Sequence, residues 1–247
     1  MCVIRNKRLR RTFEALAPVP LLVATLIPSG SSRSAAAGVR SSQMLRSALL
    51  IGDIHVEDEL LEAALAFAPR AERVLSVGDI VDGPGDLVRC IELLRAHHAD
   101  VVCGNHERWV RQGQPFMPFS YSPDALAWIA ALPPTREYDT PTGRFMLCHG
   151  VGDADMVQFK PDTFGYALNC LDEVWNLVHA GEHRWIAGGH THVPMVRTIE
   201  GLTFLNPGTL VRDQEPGFML ANFETGVVEH WTLLPKPALV HEHELTR

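Results

Sequence analysis

Short apolar runs that end on glycine and an acidic or amide residue recur along this chain. Residues 48–51, Ala-Leu-Leu-Ile, close on Gly52-Asp53, the pattern of a buried strand. Residues 60–67 repeat apolar positions at helical spacing, and Pro69 ends that helix. A second strand at 74–77 closes on Gly78-Asp79, a helix follows at 87–94, and a third strand at 101–103 closes on Gly104-Asn105. This alternation predicts βαβ units and a parallel sheet. Further strands are expected at 144–148 and 184–187, with a helix near 171–178 between them. Beyond His192 the text turns to short strands at 195–199, 203–205, 218–223 and 227–233. Gly201, Asn206-Pro207-Gly208 and Thr225-Gly226 punctuate them. With no internal repeat and no interdomain linker, residues 44–247 are expected to form one α/β domain with two sheets.

The first 43 residues read differently. They carry seven basic groups and one acidic, against 15 basic and 28 acidic in the remainder. A basic start, an apolar stretch over 15–27 and the small residues Ala35-Ala36-Ala37 make an imperfect export signal, broken by Pro18 and Pro20 and preceded by Glu14. Met44, which leads straight into the first strand, is the better candidate start. Residues 1–43 are therefore expected to be a disordered leader or mis-assigned upstream segment, and the compartment cytoplasmic. Export through residues 1–37 is the alternative. No uninterrupted apolar run of 18 residues exists, so no transmembrane segment is expected in the body. A body this acidic lacks the clustered Lys and Arg of general nucleic-acid binding. Five cysteines (Cys2, Cys90, Cys103, Cys148, Cys170) with no C-x-x-C pair suit small buried hydrophobes better than a disulfide framework.

Charge and amide chemistry sits where the strands end. The five segments are Gly52-Asp53-Ile54-His55, Gly78-Asp79-Ile80-Val81-Asp82, Gly104-Asn105-His106-Glu107, Cys148-His149-Gly150 and Gly189-His190-Thr191-His192. Ligands of open α/β sheets bind outside the carboxyl ends of the strands, so all five loops are expected at one rim. On extended backbone, Asp53 with His55 and His190 with His192 would each face one way and chelate one centre. Imidazole and carboxylate donors suit Mn, Fe or Zn better than Ca. Asp53, His55, Asp79, Asn105, His149, His190 and His192 are too many donors for one site, which implies two divalent ions and a bridging carboxylate. Any one of these residues alone is more simply a helix cap or a core histidine; five such loops in order are not.

This ordered set resembles the calcineurin-like binuclear metallophosphoesterases, over about residues 46–234. Asn206-Pro207-Gly208 matches the family's late N-P-G turn. The resemblance implies two packed mixed β-sheets flanked by helices, a four-layer αββα sandwich. It also implies a phosphoester hydrolase using a hydroxide between two metals. Carried over by position, Asp53, His55 and His192 would hold the first metal, Asn105, His149 and His190 the second, and Asp79 both. His106 would stand beside them as a catalytic non-ligand, oriented by Asp82. Protein phosphatases of this superfamily carry arginines where Gly83 and Cys103 stand here. That loss of phosphate clamps favours a diester, which bears less charge. Arg108, Arg111 and Lys160 are candidate substitutes.

The expected partner is a small phosphoester, and the oligomeric state is left open. A monoesterase or protein phosphatase of the same superfamily is the alternative, and a non-catalytic binding module on this fold the other. Residues 151–169 follow His149, read as too polar for core and are expected to form a substrate-shaping cap. His97, His98, His179, His183, His241 and His243 read as surface or loop residues.

Overall fold

The computed structural model describes residues 39–40, 44–116 and 120–245. One six-stranded sheet runs, in spatial order, Ala238–Glu244 (β12), Val227–Thr232 (β11), Gly217–Asn222 (β10), Ser47–Ile51 (β2), Arg73–Ser76 (β3) and Asp100–Val101 (β4). The other runs Val39–Arg40 (β1), Arg136–Thr140 (β5), Gly143–Leu147 (β6), Trp185–Ala187 (β7), Leu202–Asn206 (β9) and Met195–Ile199 (β8). Both are mixed: β2, β3 and β4 are parallel, as are β6, β7 and β9. The antiparallel strands lie outside them.

Period-two alternation assigns the layers. On β2, Ala48 and Leu50 face the other sheet and pack with Phe145, Leu147 and Trp185. Leu49 and Ile51 face the opposite way, onto helices Asp58–Leu65 (α1) and Leu87–Ala96 (α2). On the far side, Ile186 and Phe204 pack with Val174 and Val178 of Asp172–Ala180 (α6), the helix after the short Gly165–Asn169 (α5). The result is the expected four-layer αββα sandwich. Both faces of β2 are buried, which is why it reads as a continuous apolar run rather than an alternating one.

Some elements differ from expectation. Strand β4 ends at Val101 because the Cys103 N–H is taken by the Pro133 carbonyl (2.8 Å). The Gly104-Asn105-His106-Glu107 block that follows β4 opens a helix (α3, Asn105–Arg111). A further helix, Pro123–Ala131 (α4), starts at Ser122, whose hydroxyl accepts from Ala125 N–H. His179 lies in the last turn of α6, not in a loop. Cys170 is exposed, whereas Cys90, Cys103 and Cys148 are buried. His241 and His243 lie on β12. In the segment 151–169, Val151 and Phe159 are buried in the α6-side core, so it is less polar in placement than in composition.

The leader expectation falls on residues outside the described set, except Val39–Arg40, which pair in parallel with β5. No helix among the described residues is long and apolar enough to cross a membrane.

Candidate metal centre and active site

Three of the five loops leave parallel strands of one sheet (β2, β3, β4) and two leave parallel strands of the other (β6, β7). They meet at the shared carboxyl edge. The His149 ring crosses between sheets, its Nδ1–H donating to the Val77 carbonyl (2.8 Å), and the His190 N–H donates to Asp53 (3.0 Å). The Asn206 side chain donates to the Gly189 carbonyl (2.9 Å) and so holds the last loop in place.

The donor atoms of Asp53, His55 and His192 lie within 4.8 Å of one another, as do those of Asp79, His149 and His190. Asn105 joins the second group: its Oδ1 is 2.9 Å from both His149 Nε2 and His190 Nδ1. All seven predicted donors therefore come together. The pairing differs from the chelate expectation in one respect. His190 and His192 sit in different groups because both have left-handed backbone (φ 64° and 59°), which turns their side chains apart. Asp79, Asp82 and His55 share that unusual conformation, a strain that concentrates at sites whose geometry the surroundings dictate.

The hydrogen bonds select tautomers. A carbonyl only accepts, so Nδ1 carries the proton in His55 (to Val81 O, 3.1 Å) and His149. His192 Nδ1 likewise faces Gln214 Oε1 (2.8 Å). Such partners free the other nitrogen for a metal. The His55 and His192 Nε2 atoms then confront each other at 3.2 Å with lone pairs on both. The buried His190 Nε2 has no partner among the described residues. Two opposed lone pairs and an orphaned buried nitrogen are satisfied together by cations, so the donor set fits divalent metal ions.

Burial disfavours charge on His55 and His190 and lowers both pKa values. It raises Asp53, with Asp79 adding to the effect. Burial opposes the charged form of His149 too, but Asp79 (3.2 Å from Nε2) and Asp53 outweigh it and lift that pKa to about 10. Reciprocally, Asp79 lies well below the usual carboxylate range despite its burial.

Beside this centre, His106 Nδ1 donates to Asp82 Oδ2 (2.7 Å). The predicted pair is therefore in contact. Asn105 and His106 diverge as successive positions of the helix α3. His106 Nε2 is 3.9 Å from Asp79 Oδ2.

Two polar residues are not singled out by sequence pattern. Tyr121 donates its hydroxyl to Asp82 Oδ1 (3.1 Å); nothing in its local sequence marks it. Glu107, fully buried, accepts from four backbone N–H groups: Ile80 and Val81 on Oε1, Asp79 and Gly104 on Oε2. Its place in the Gly104-Asn105-His106-Glu107 block is the one signal that could have marked it. A Cβ on Gly104 would come within 2.1 Å of Asp79 Oδ1, so the close approach requires glycine there.

The site opens into a cavity of about 370 Å³. No lysine or arginine lines it among the described residues. Arg108 is paired with Asp155 (2.5 Å), and Arg111 with the Ile129 and Leu132 carbonyls. At Gly83 a Cβ would stand 1.5 Å from the His55 carbonyl oxygen, so a guanidinium there is sterically excluded. Residues 151–169 contribute nothing to the described lining; their tie to the site is Asp155 on Arg108.

The model of the calcineurin-like phosphoesterase superfamily domain matches residues 47–226. The chain belongs to that superfamily. An uncharacterized protein of Methanocaldococcus jannaschii is 24% identical over 183 residues, 69% of this chain and 72% of its own length. The symmetrical bis(5'-nucleosyl)-tetraphosphatase of Chromohalobacter salexigens is 43% identical over 67 residues, 25% of this chain and 24% of its own length. In fold, a metallophosphoesterase from Sphaerobacter thermophilus is similar, with TM-score 0.56 and 21% identity over 81% of this chain and 89% of its own. So is Vacuolar Protein Sorting 29 from Cryptosporidium parvum, with TM-score 0.50 and 19% identity over 82% of this chain and 100% of its own.

Proposed function

We propose that this chain is a metal-dependent phosphoesterase acting on a small-molecule phosphate ester, with diesters favoured over monoesters. In this reading Asp53, His55 and His192 hold one divalent ion, Asn105, His149 and His190 hold a second, and Asp79 serves both. Mn, Fe or Zn suits these donors. Ions bound there would supply Lewis acidity and a water nucleophile at neutral pH.

The remaining chemistry belongs to the chain itself. As the P–O bond to the leaving group breaks, His106 Nε2 gives its proton to the departing oxygen. Asp82 keeps the opposite nitrogen protonated and the ring in place. Tyr121 in turn neutralises part of the Asp82 charge. The observation that carries the reading is the His106–Asp82 pair opening into the same cavity as five of the metal-type donors, His55, Asp79, Asn105, His190 and His192. That no guanidinium or ammonium lines the cavity among the described residues supports the diester preference, because a dianionic monoester calls for bidentate clamps.

The test is turnover by the purified, Mn-supplemented protein of bis-p-nitrophenyl phosphate against p-nitrophenyl phosphate. Higher kcat/KM for the diester is expected. A clear monoester preference would overturn the diester reading, and no turnover of either ester with metal bound would favour a binding module. We further place the protein in the cytoplasm, reading residues 1–43 as a leader or upstream segment. Secreted protein with its N-terminus at Gly38 would refute that.

A further inference from the structure

We infer that Trp109 and Phe116 form a stacking subsite for a planar aromatic ring carried by the substrate, which deepens the phosphodiesterase reading and rests on it. Both residues line the 370 Å³ cavity that contains His106. The Trp109 ring centroid lies 4.7 Å from that of His106, and the Phe116 centroid lies 5.5 Å from it. Trp109 and Phe116 are themselves arranged as a stack, 29° between planes and 6.3 Å between centroids.

A single exposed phenylalanine is ordinary on a protein surface. Phe116 is 71% exposed, yet it is placed on a second aromatic ring, beside a proposed acid, in the wall of the site. Pro84 and Val211 extend the same wall with apolar surface. The phosphoryl group belongs with the metal-type donors, so an ester substituent leaving past His106 Nε2 runs along this aromatic wall. Among the described residues no lysine or arginine of the wall offers that substituent an ion pair. What the wall offers is π-faces, and those recognise a planar ring by stacking. Such a ring belongs either to a nucleoside base or to a simple aryl ester.

The experiment uses the full chain supplemented with Mn and three ethyl phosphodiesters of one charge whose other alcohol, the one released, is thymidine through its 5'-oxygen, benzyl alcohol or methanol, three alcohols of similar acidity, each quantified by chromatography. The expected wild-type result is a kcat/KM for a ring-bearing ester about tenfold or more above that for the methyl ester, the size of one stacked ring. The thymidine and benzyl arms tell a base from an aryl group. In Phe116→Ala, which removes an exposed side chain and so leaves folding intact, that ratio should fall about tenfold at unchanged metal content. Trp109→Ala should lower it at least as far.

A wild-type ratio near one, or a ratio untouched in Phe116→Ala, overturns the subsite while leaving the phosphodiesterase reading standing. If none of the three esters turns over, that reading itself fails. Titration of the metal-loaded protein with thymidine 5'-monophosphate then decides the subsite: equal affinity in wild type and Phe116→Ala overturns it.

Discussion

Glu107→Gln is the most discriminating single-atom change this structure suggests. The carboxylate is fully buried and makes no direct ion pair among the described residues; it accepts from four peptide N–H groups. Burial, reinforced by Asp79, raises its pKa. Protonation would nevertheless place an O–H donor against donors, so the ionised form is the one the loop is built for. Glutamine meets the same difficulty permanently. Ile80 and Val81 donate to one oxygen, and Asp79 and Gly104 to the other. Whichever way the amide turns, its NH2 faces two N–H groups. Two bonds to a charged acceptor are lost, at about 1.5–3 kcal/mol each. Relief from burying a charge offsets part of that, leaving a net loss of about 3 kcal/mol. At about 2–4 °C per kcal/mol for a domain of this size, Tm should drop by about 6–12 °C.

The same N–H groups fix Asp79 in its left-handed conformation (φ 50°). Metal affinity should therefore fall by about 10–100-fold, the usual cost of losing an outer-shell partner. The assay is thermal unfolding in chelator, to separate fold from metal, followed by calorimetric Mn titration. A Tm within 2 °C of wild type together with unchanged affinity would refute the argument that these four bonds hold the loop.

Other predictions are as specific. His106→Ala should keep its metal content yet lose turnover by about 10²–10⁴-fold, more for an alkyl leaving group than for p-nitrophenol; a metal-stripped variant would make His106 a ligand, and equal losses would assign it to phosphoryl stabilisation. Tyr121→Phe removes one bond to a buried carboxylate, so kcat should fall about tenfold or less with KM and metal content unchanged; no change in kcat would detach Tyr121 from the Asp82–His106 pair. Asp79→Asn should lower the bound metal below the two equivalents per chain expected of wild type by elemental analysis, and abolish nearly all turnover; two equivalents retained would contradict its shared role. Burial pushes the Cys90, Cys103 and Cys148 thiols up to about 12, so in a Cys2→Ser background at pH 8 one thiol, the exposed Cys170, should react rapidly with a disulfide reagent. Two or more fast thiols would refute that burial.

The proposed metal donors are legible in the sequence because each follows an apolar run, and the carboxyl ends of parallel strands necessarily share an edge. The layered fold is legible for a related reason: β2 and β3 are apolar on both faces, which demands cover on both sides. Strand β12 is not, since Ala-Leu-Val-His-Glu-His-Glu at a sheet edge stays exposed and carries no burial pattern. The split of His190 from His192 between two groups follows from the resemblance but not from the spacing, since it depends on two left-handed residues where spacing suggests extended chain.

Tertiary structure alone brings Tyr121 to Asp82, 39 residues away in sequence. It also places Trp109 and Phe116 in the cavity wall and commits Arg108 and Arg111 to partners elsewhere. Glu107 shows the boundary most plainly. Its identity is written in the block beside Asn105 and His106, but its purpose is not, because the N–H groups it accepts from Asp79, Ile80 and Val81 lie 26–28 residues away. Backbone donors look the same in every residue, so only the fold reveals which of them a buried carboxylate must satisfy.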